Sequence, residues 1–174
     1  MMKILIVVDM QNDFIDGALG TKEAETIVKN VEDKIHKYKE ENQLVLFTRD
    51  THEEDYLKTR EGKYLPVVHC IKGSKGWQIK EGLAAPNDDV VDKPTFGSLE
   101  LVEKIRLLMK NTKIEAIELI GLCTDICVIS NAMICKAAFP EVDIIVDSGC
   151  CAGVTPESHH TALEAMKMCQ IVIL

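Results

Sequence analysis

The chain predicts an α/β fold around a mostly parallel sheet, and three observations lead there. Strand-length apolar runs alternate with helix-length amphipathic segments from one end of the chain to the other. The first run, 3–8, is a continuous stretch of isoleucine, leucine and valine after one lysine, the pattern of a strand covered on both faces. No repeat, low-complexity tract or linker interrupts the 174 residues, so one domain, 1–174, is expected.

The first strand, 3–8, ends in the polar cluster Asp9-Met10-Gln11-Asn12-Asp13-Phe14, and a loop continues to Gly20. Residues 22–41 put Ile27, Val28, Val31, Ile35 and Tyr38 on one stripe, which predicts an amphipathic helix. A second strand, 43–48, ends in Arg49-Asp50-Thr51-His52. Residues 53–85 are the longest irregular stretch, and a loop of that length in a compact domain is usually functional. A short strand at 89–92 leads into Lys93-Pro94-Thr95-Phe96-Gly97-Ser98. Ser98 suits the N-cap of a helix over 99–110, with Leu101, Val102, Ile105 and Leu108 on one face. A buried strand, 116–120, runs into Gly121-Leu122-Cys123-Thr124-Asp125-Ile126-Cys127-Val128 and a helix over 126–138. A strand at 142–146, a helix opened by Thr155-Pro156 and reaching about Met168, and a strand at 170–174 complete the chain.

Composition narrows the function classes. A net charge of −8 weighs against nucleic acid and against anionic membrane surfaces as partners. No apolar run is long enough to span a bilayer. The first apolar run is short and stops at Asp9, unlike a signal peptide, so a cytoplasmic protein is expected. Seven cysteines, an odd number with no framework or C-x-x-C spacing, agree with a reducing compartment.

In open parallel sheets, ligands bind outside the carboxyl ends of the strands. That rule collects Asp9, then Asp50 and His52, then Lys93, then the turn that carries Cys127. With Thr124 as N-cap, Cys127 falls at the third helical position, where unpaired N–H groups and the helix dipole favour thiolate. Taken alone, Cys127 reads as a small packed hydrophobe. Its company changes that reading. A thiol nucleophile needs a base to take its proton and a cation to hold its charge. Asp9 supplies the base and Lys93 the cation, with burial raising the carboxylate's pKa and Lys93 countering it. A glycine turn before a helix can also aim the backbone N–H groups of Cys123 and Cys127 at one point, as an oxyanion hole does.

A second constellation is separate. Asp50 and His52 lie two residues apart, His69 follows in the long loop, and Glu61 lies between. Two histidines and a carboxylate suit one divalent metal ion, zinc, manganese or iron. The alternative is a surface Asp-His pair with an unrelated His69. His36, His159 and His160 fall on predicted helices without a partner pattern and read as structural or solvated.

Three motifs resemble those of the isochorismatase-like cysteine hydrolases and, within them, the nicotinamidases. They are Asp9-x-Gln11-Asn12-Asp13-Phe14, Lys93-x-x-Phe96-x-Ser98 and Gly121-x-x-Thr124-Asp125-x-Cys127-Val128, in the family's order. The resemblance implies Asp9, Lys93 and Cys127 as a catalytic triad and a cis peptide between Leu122 and Cys123. It also implies a three-layer α/β/α fold with a six-stranded parallel sheet, and a homo-oligomer. It makes Asp50, His52 and His69, joined in some relatives by Glu61, the ligands of a metal that anchors the pyridine nitrogen of nicotinamide, zinc being the first expectation. The implied activity is hydrolysis of nicotinamide to nicotinate and ammonia, within pyridine nucleotide salvage. The alternative substrate is another small amide or carbamoyl compound. Many nicotinamidases carry an aromatic residue and two prolines just before the later histidine, whereas this chain has Tyr64-Leu65-Pro66-Val67-Val68-His69. The aromatic wall then rests on Phe14 and Phe96, with Tyr64 a further candidate and Trp77 read as a packing residue.

Overall fold

The computed structural model describes residues 2–174. Six strands, β1 (Met2–Val8), β2 (Leu44–Asp50), β3 (Asp89–Lys93), β4 (Ile114–Leu122), β5 (Asp143–Ala152) and β6 (Val172–Ile173), form one sheet. Their order is β3-β2-β1-β4-β5-β6, and every neighbouring pair is parallel. The chain works outward from β1 to β3, returns to the middle at β4, and works outward the other way. The switch point therefore lies between β1 and β4, where the crevice of such a sheet opens.

The helices are α1 (Asn12–Ile15), α2 (Lys22–Glu40), α3 (Arg60–Tyr64), α4 (Leu99–Met109), α5 (Ile129–Ala138) and α6 (Pro156–Met168). Side chains alternate across each strand, so β1 feeds two cores. Leu5 and Val7 pack with Ala24, Ile27, Val31 and Ile35 of α2. Ile4, Ile6 and Val8 pack with Leu101 and Ile105 of α4, Ala132 and Cys135 of α5, and Met166 of α6. Each valine, leucine, isoleucine and methionine among them contributes about 1.5–3 kcal/mol by leaving water. Thr21, Ser98 and Thr155 cap α2, α4 and α6 by accepting backbone N–H groups of the first turn.

The expected strands and long helices are present, with four differences that have physical causes. β5 runs to Ala152 rather than stopping at 146, because Cys151 and Ala152 pair with Gly121 and Leu122 beyond an irregularity in β4. The polar Asp147-Ser148-Gly149 between them hides that continuation in the sequence. β4 continues through Gly121, whose φ is 114°, and a Cβ there would lie 2.1 Å from the carbonyl oxygen of Val8. Only glycine lets β4 run this close beside β1. The last strand is two residues long, not five. The 53–85 stretch contains a 3₁₀ turn at Tyr56–Lys58 and α3, which Thr59 caps through the N–H of Gly62.

No helix of comparable length to α2 joins β2 to β3. The 51–88 connection packs on the α2 side instead, burying Cys70 and Leu83 in that core. A single bridge from Gln11 to Ile79 ties it to the segment after β1, and one from His52 to Ile71 closes it on itself. No helix among the described residues is long and apolar enough to cross a membrane.

Candidate active site

The carboxyl ends of β1, β2, β3 and β4 converge at the switch point. Asp9 follows β1 with a positive φ of 47°, and is fully buried. That left-handed conformation costs about 1–2 kcal/mol for a non-glycine residue. It is held by the Asp9 N–H donating to Thr48 O (3.3 Å) and by Gln11 N–H donating to Asp9 O (2.7 Å). Thr48 also donates its hydroxyl to Asp9 Oδ1 at 2.7 Å. The other oxygen, Oδ2, lies 2.6 Å from the Lys93 ammonium. Among the described residues Oδ2 has no well-angled hydrogen-bond donor, so that contact is an ion pair that leaves a lone pair free.

Lys93, the last residue of β3, is buried and turns its Nζ to Asp9, to Cys127 Sγ at 3.5 Å, to Asp50 Oδ1 at 3.4 Å and to Thr95 O at 3.1 Å. Burial pulls its pKa down, but the charges of Asp9, Cys127 and Asp50 outweigh it and raise it, so Lys93 stays an ammonium. Burial pushes Asp9 up, and the Lys93 charge only partly offsets this. Cys127 is also pushed well up, first by burial and then by the Asp9 charge, with Asp9 as hydrogen-bond acceptor. Lys93 therefore rests as an ammonium and Cys127 as a thiol, with the Asp9 carboxyl between them. Moving the thiol proton to an ionised Asp9 leaves the summed charge of the three groups unchanged, so no new net charge is buried.

The expectation of a thiolate at an ordinary helix start needs correcting in two respects. Cys123, not Thr124, is the N-cap, and residues Thr124–Val128 form a wide π-type turn before α5. The carbonyl of Cys123 accepts from Ile126 (3.1 Å) and Val128 (3.0 Å), on either side of Cys127. The Cys127 N–H is left out of that pairing and sits beside its own thiol. Burial then overrides the helix field and keeps the thiol protonated at rest. The peptide between Leu122 and Cys123 is cis, as the resemblance implies. The Cys123 side chain also lines the cavity, and burial pushes its thiol up to about 12.

Asp50, His52, Glu61 and His69 bring one ligand atom each to within 4.8 Å of one another. His52 Nε2 lies 2.9 Å from Asp50 Oδ2 and 3.6 Å from Glu61 Oε1. His69 Nε2 lies 3.6 Å and 3.9 Å from the same two oxygens. The edge of a tetrahedron with metal–ligand bonds near 2.1 Å is about 3.4 Å, inside this range. Two further observations fit a metal. His52 Nε2 is buried without a hydrogen-bond partner among the described residues. His69 Nδ1 is 2.7 Å from Val67 O, which assigns the proton to Nδ1 and leaves the Nε2 lone pair facing the group. Burial raises Asp50, but the neighbouring His52 and His69 imidazoles and the Lys93 charge outweigh it and hold the carboxyl well below the usual range. Burial, reinforced by the Asp50 charge, raises Glu61.

Both groups open into one cavity of about 320 Å³. Asp50, Glu61, His69, Cys123 and Cys127 face it, and Phe14, Leu19, Leu65, Phe96, Ile126 and Val154 supply apolar walls. That volume is at the small end of ligand pockets, suited to one small ring. Phe14 packs against His69 with centroids 5.6 Å apart. Tyr64 is outside this cavity: the residue is 78% exposed and borders an outer groove with Arg60 and Thr95. Trp77 packs, its Nε1 donating to Thr51 Oγ1 at 2.9 Å and its ring lying 3.4 Å under the Arg49 guanidinium.

Three supporting residues carry no sequence signal of their role. Gln11 accepts the Asp50 N–H (2.7 Å) and donates to Asp50 O (2.8 Å), clamping that backbone on both sides. Asn131 donates to Cys127 O (2.8 Å) and Phe96 O (3.0 Å) and accepts from Ser98 N (3.0 Å), tying the Lys93–Ser98 turn to the thiol's helix. Thr48 orients Asp9. Gln11 and Asn131 act by reaching another element, which only the tertiary fold reveals.

The fold and the cavity define the class: an isochorismatase-like α/β hydrolase fold with its centre at the strand switch. The chain belongs to the isochorismatase family, whose domain profile matches residues 3–174. Its fold is similar to the zinc complex of a pyrazinamidase from Pyrococcus horikoshii, with a TM-score of 0.86, 28% identity, and coverage of 100% of this chain and 99% of that one. A pyrazinamidase/nicotinamidase from Streptococcus mutans UA159 gives 0.83, 27% identity and 99% of both chains. An Arabidopsis thaliana relative, 27% identical over 94% of this chain and 87% of its own, bears the name "probable inactive nicotinamidase".

Proposed function

We propose that this isochorismatase-family hydrolase of amide C–N bonds cleaves nicotinamide to nicotinate and ammonia through a thioester on Cys127. The observation that carries the reading is the joint geometry: a thiol, a carboxylate and an ammonium in mutual contact, facing the same small apolar cavity as a four-residue metal-ligating group. The nicotinamidase and pyrazinamidase relatives support the substrate class. The intact contact set supports turnover in this chain despite the relative named as inactive.

Asp9 Oδ2 takes the Cys127 proton while Lys93 holds the sulfur's charge. The sulfur forms a bond to the carboxamide carbon, and the N–H groups of Cys123 and Cys127 hold the oxyanion. The C–N bond breaks as Asp9 returns its proton to nitrogen, releasing ammonia. Water then adds to the thioester, giving its proton to Asp9. The C–S bond breaks, and the sulfur takes the proton back. Asp50, His52, His69 and Glu61 would hold a divalent ion, zinc first among the expectations. When bound, the ion supplies a Lewis-acidic anchor for the ring nitrogen. Phe14 and Phe96 flank the ring, and the apolar walls keep bulk water from the thioester.

Ammonia release from nicotinamide by the purified protein tests the reading, before and after chelation, with zinc, manganese or iron restored. The expected result is turnover lost on chelation and regained with metal. Full turnover by Cys127→Ala would overturn the thioester route. On this reading the protein works in the cytoplasm, in pyridine nucleotide salvage, as a homo-oligomer; light scattering tests the last.

A further inference from the structure

The nucleophile's turn is held from outside the site by α6. Thr124, the first residue of the turn, is fully buried, and its Oγ1 shares a hydrogen bond with His159 Nδ1 at 2.7 Å. The next residue, Asp125, accepts the N–H of Val154 with both carboxylate oxygens, at 3.1 and 3.3 Å. Val154 itself lines the cavity. Gly153 packs its backbone against His159 so closely that a Cβ would lie 2.8 Å from the histidine's Cβ. The segment from Gly153 to His159 is thus fastened at two points to the turn that carries Cys127. The π-type turn has particular need of this, because its wide pitch removes a regular i→i−4 bond at the thiol-bearing position.

We infer that His159 is a positioning residue for Cys127: through Thr124 Oγ1 it sets where the thiol and its backbone N–H sit relative to the substrate carbonyl. This rests on Cys127 being the nucleophile. His159 is neither a lining residue of the cavity nor a member of the metal-ligating group, so its loss alters the chemical step and leaves substrate binding in place. A displacement of the nucleophile by about 1 Å can cost on the order of 100-fold in rate.

The test compares His159→Leu, His159→Asn, Thr124→Val and the double variant His159→Leu/Thr124→Val. The amide of asparagine can stand where Nδ1 stands; leucine cannot. His160→Leu, exposed and one residue along α6, is the control. The readouts are kcat and KM for nicotinamide, the rate of Cys127 alkylation by iodoacetamide, metal content and Tm. Expected are a fall in kcat of about 10-fold or more for His159→Leu and Thr124→Val, with KM within about twofold. Metal content stays full, and the alkylation rate changes in the same two variants. The double variant is no worse than the worse single variant, since one bond is removed only once. His159→Asn recovers most of the lost kcat. An unchanged kcat in His159→Leu, additive losses in the double variant, or no recovery by asparagine would each overturn the inference. Should Cys127→Ala prove active, the nucleophile assignment itself fails, a result distinct from all three.

Discussion

One carboxylate serves both halves of the site. Asp50 Oδ1 lies 3.4 Å from the Lys93 ammonium, and Asp50 Oδ2 lies 2.9 Å from His52 Nε2. The metal-ligating group and the thiol's charge partners therefore share an electrostatic joint. Asp50→Asn is expected to weaken metal affinity by about 10-fold or more and to slow nicotinamide turnover. In metal-free protein the same change removes a charge that raises the Cys127 pKa, so iodoacetamide labels Cys127 faster at neutral pH. Slower labelling with full metal affinity would contradict this account.

Lys93→Met leaves Asp9 buried without its cation. We expect kcat to fall about 100-fold to 1,000-fold. Stability in urea should fall by about 3 kcal/mol at pH 8, because a buried ion pair loses one partner. The sign at lower pH follows from linkage. Burial raises Asp9 in the folded state, so its charged form opposes folding increasingly as pH rises through the raised value. The variant's deficit should therefore shrink toward pH 5, which paired urea titrations at the two pH values measure.

Thr48→Val keeps the side chain's shape and removes the donor to Asp9 Oδ1. That hydrogen bond lowers the Asp9 pKa, so its loss moves the pKa higher. Asp9 must be ionised to take the thiol proton. The acid limb of the kcat/KM profile should move to higher pH, by up to about one pH unit for the loss of one hydrogen bond. An acid limb that does not move would separate Thr48 from the base.

Lys34, on α2, joins two mostly buried carboxylates away from the site: Glu118 at 2.7 Å and Asp147 at 2.6 Å. Tyr38 donates its hydroxyl to Glu118 as well. Lys34→Met should cost about 2 kcal/mol, somewhat less than a fully buried pair because the cluster touches solvent. Burial raises Asp147, but Lys34 outweighs it and holds the pKa below 3.8. Its contribution is thus present above that unfolded value and lost as pH falls through the lower folded one. Burial lowers Lys34, but Asp147 and Glu118 outweigh it, so its contribution is present below 10.5 and lost only at higher pH. Between these limits the wild-type advantage should be flat, and nicotinamide turnover unchanged; thermal melts from pH 3 to 9 test both.

The strand ends were legible because each is an apolar run that stops at a charged residue: Val8 before Asp9, Val91 before Asp92 and Lys93. A parallel sheet then places those residues together whatever lies between them. The pitch of the Cys127 turn was not legible, since Thr124 and Cys123 are both acceptable caps by residue type. Gln11, Thr48 and Asn131 take their roles from partners 33 to 39 residues away, which periodicity does not report. His159 reads as an ordinary helical histidine until α6 is seen against Thr124. Tyr64 followed α3 outward, because the loop containing it is partly helical.

The absence of a long crossover helix between β2 and β3 has a consequence for how this protein can change. The groups proposed to break the bond, Asp9, Lys93 and Cys127, sit on strand ends and the turn after β4, whereas three of the four candidate metal ligands, His52, Glu61 and His69, sit on the 51–88 connection. The proposed metal anchor and the proposed cutting groups are therefore written on different parts of the chain, joined at Asp50. Replacing that single connection would change the anchor while the cutting groups and the Phe14 and Phe96 walls stayed as they are, much as one changes the jig and keeps the blade.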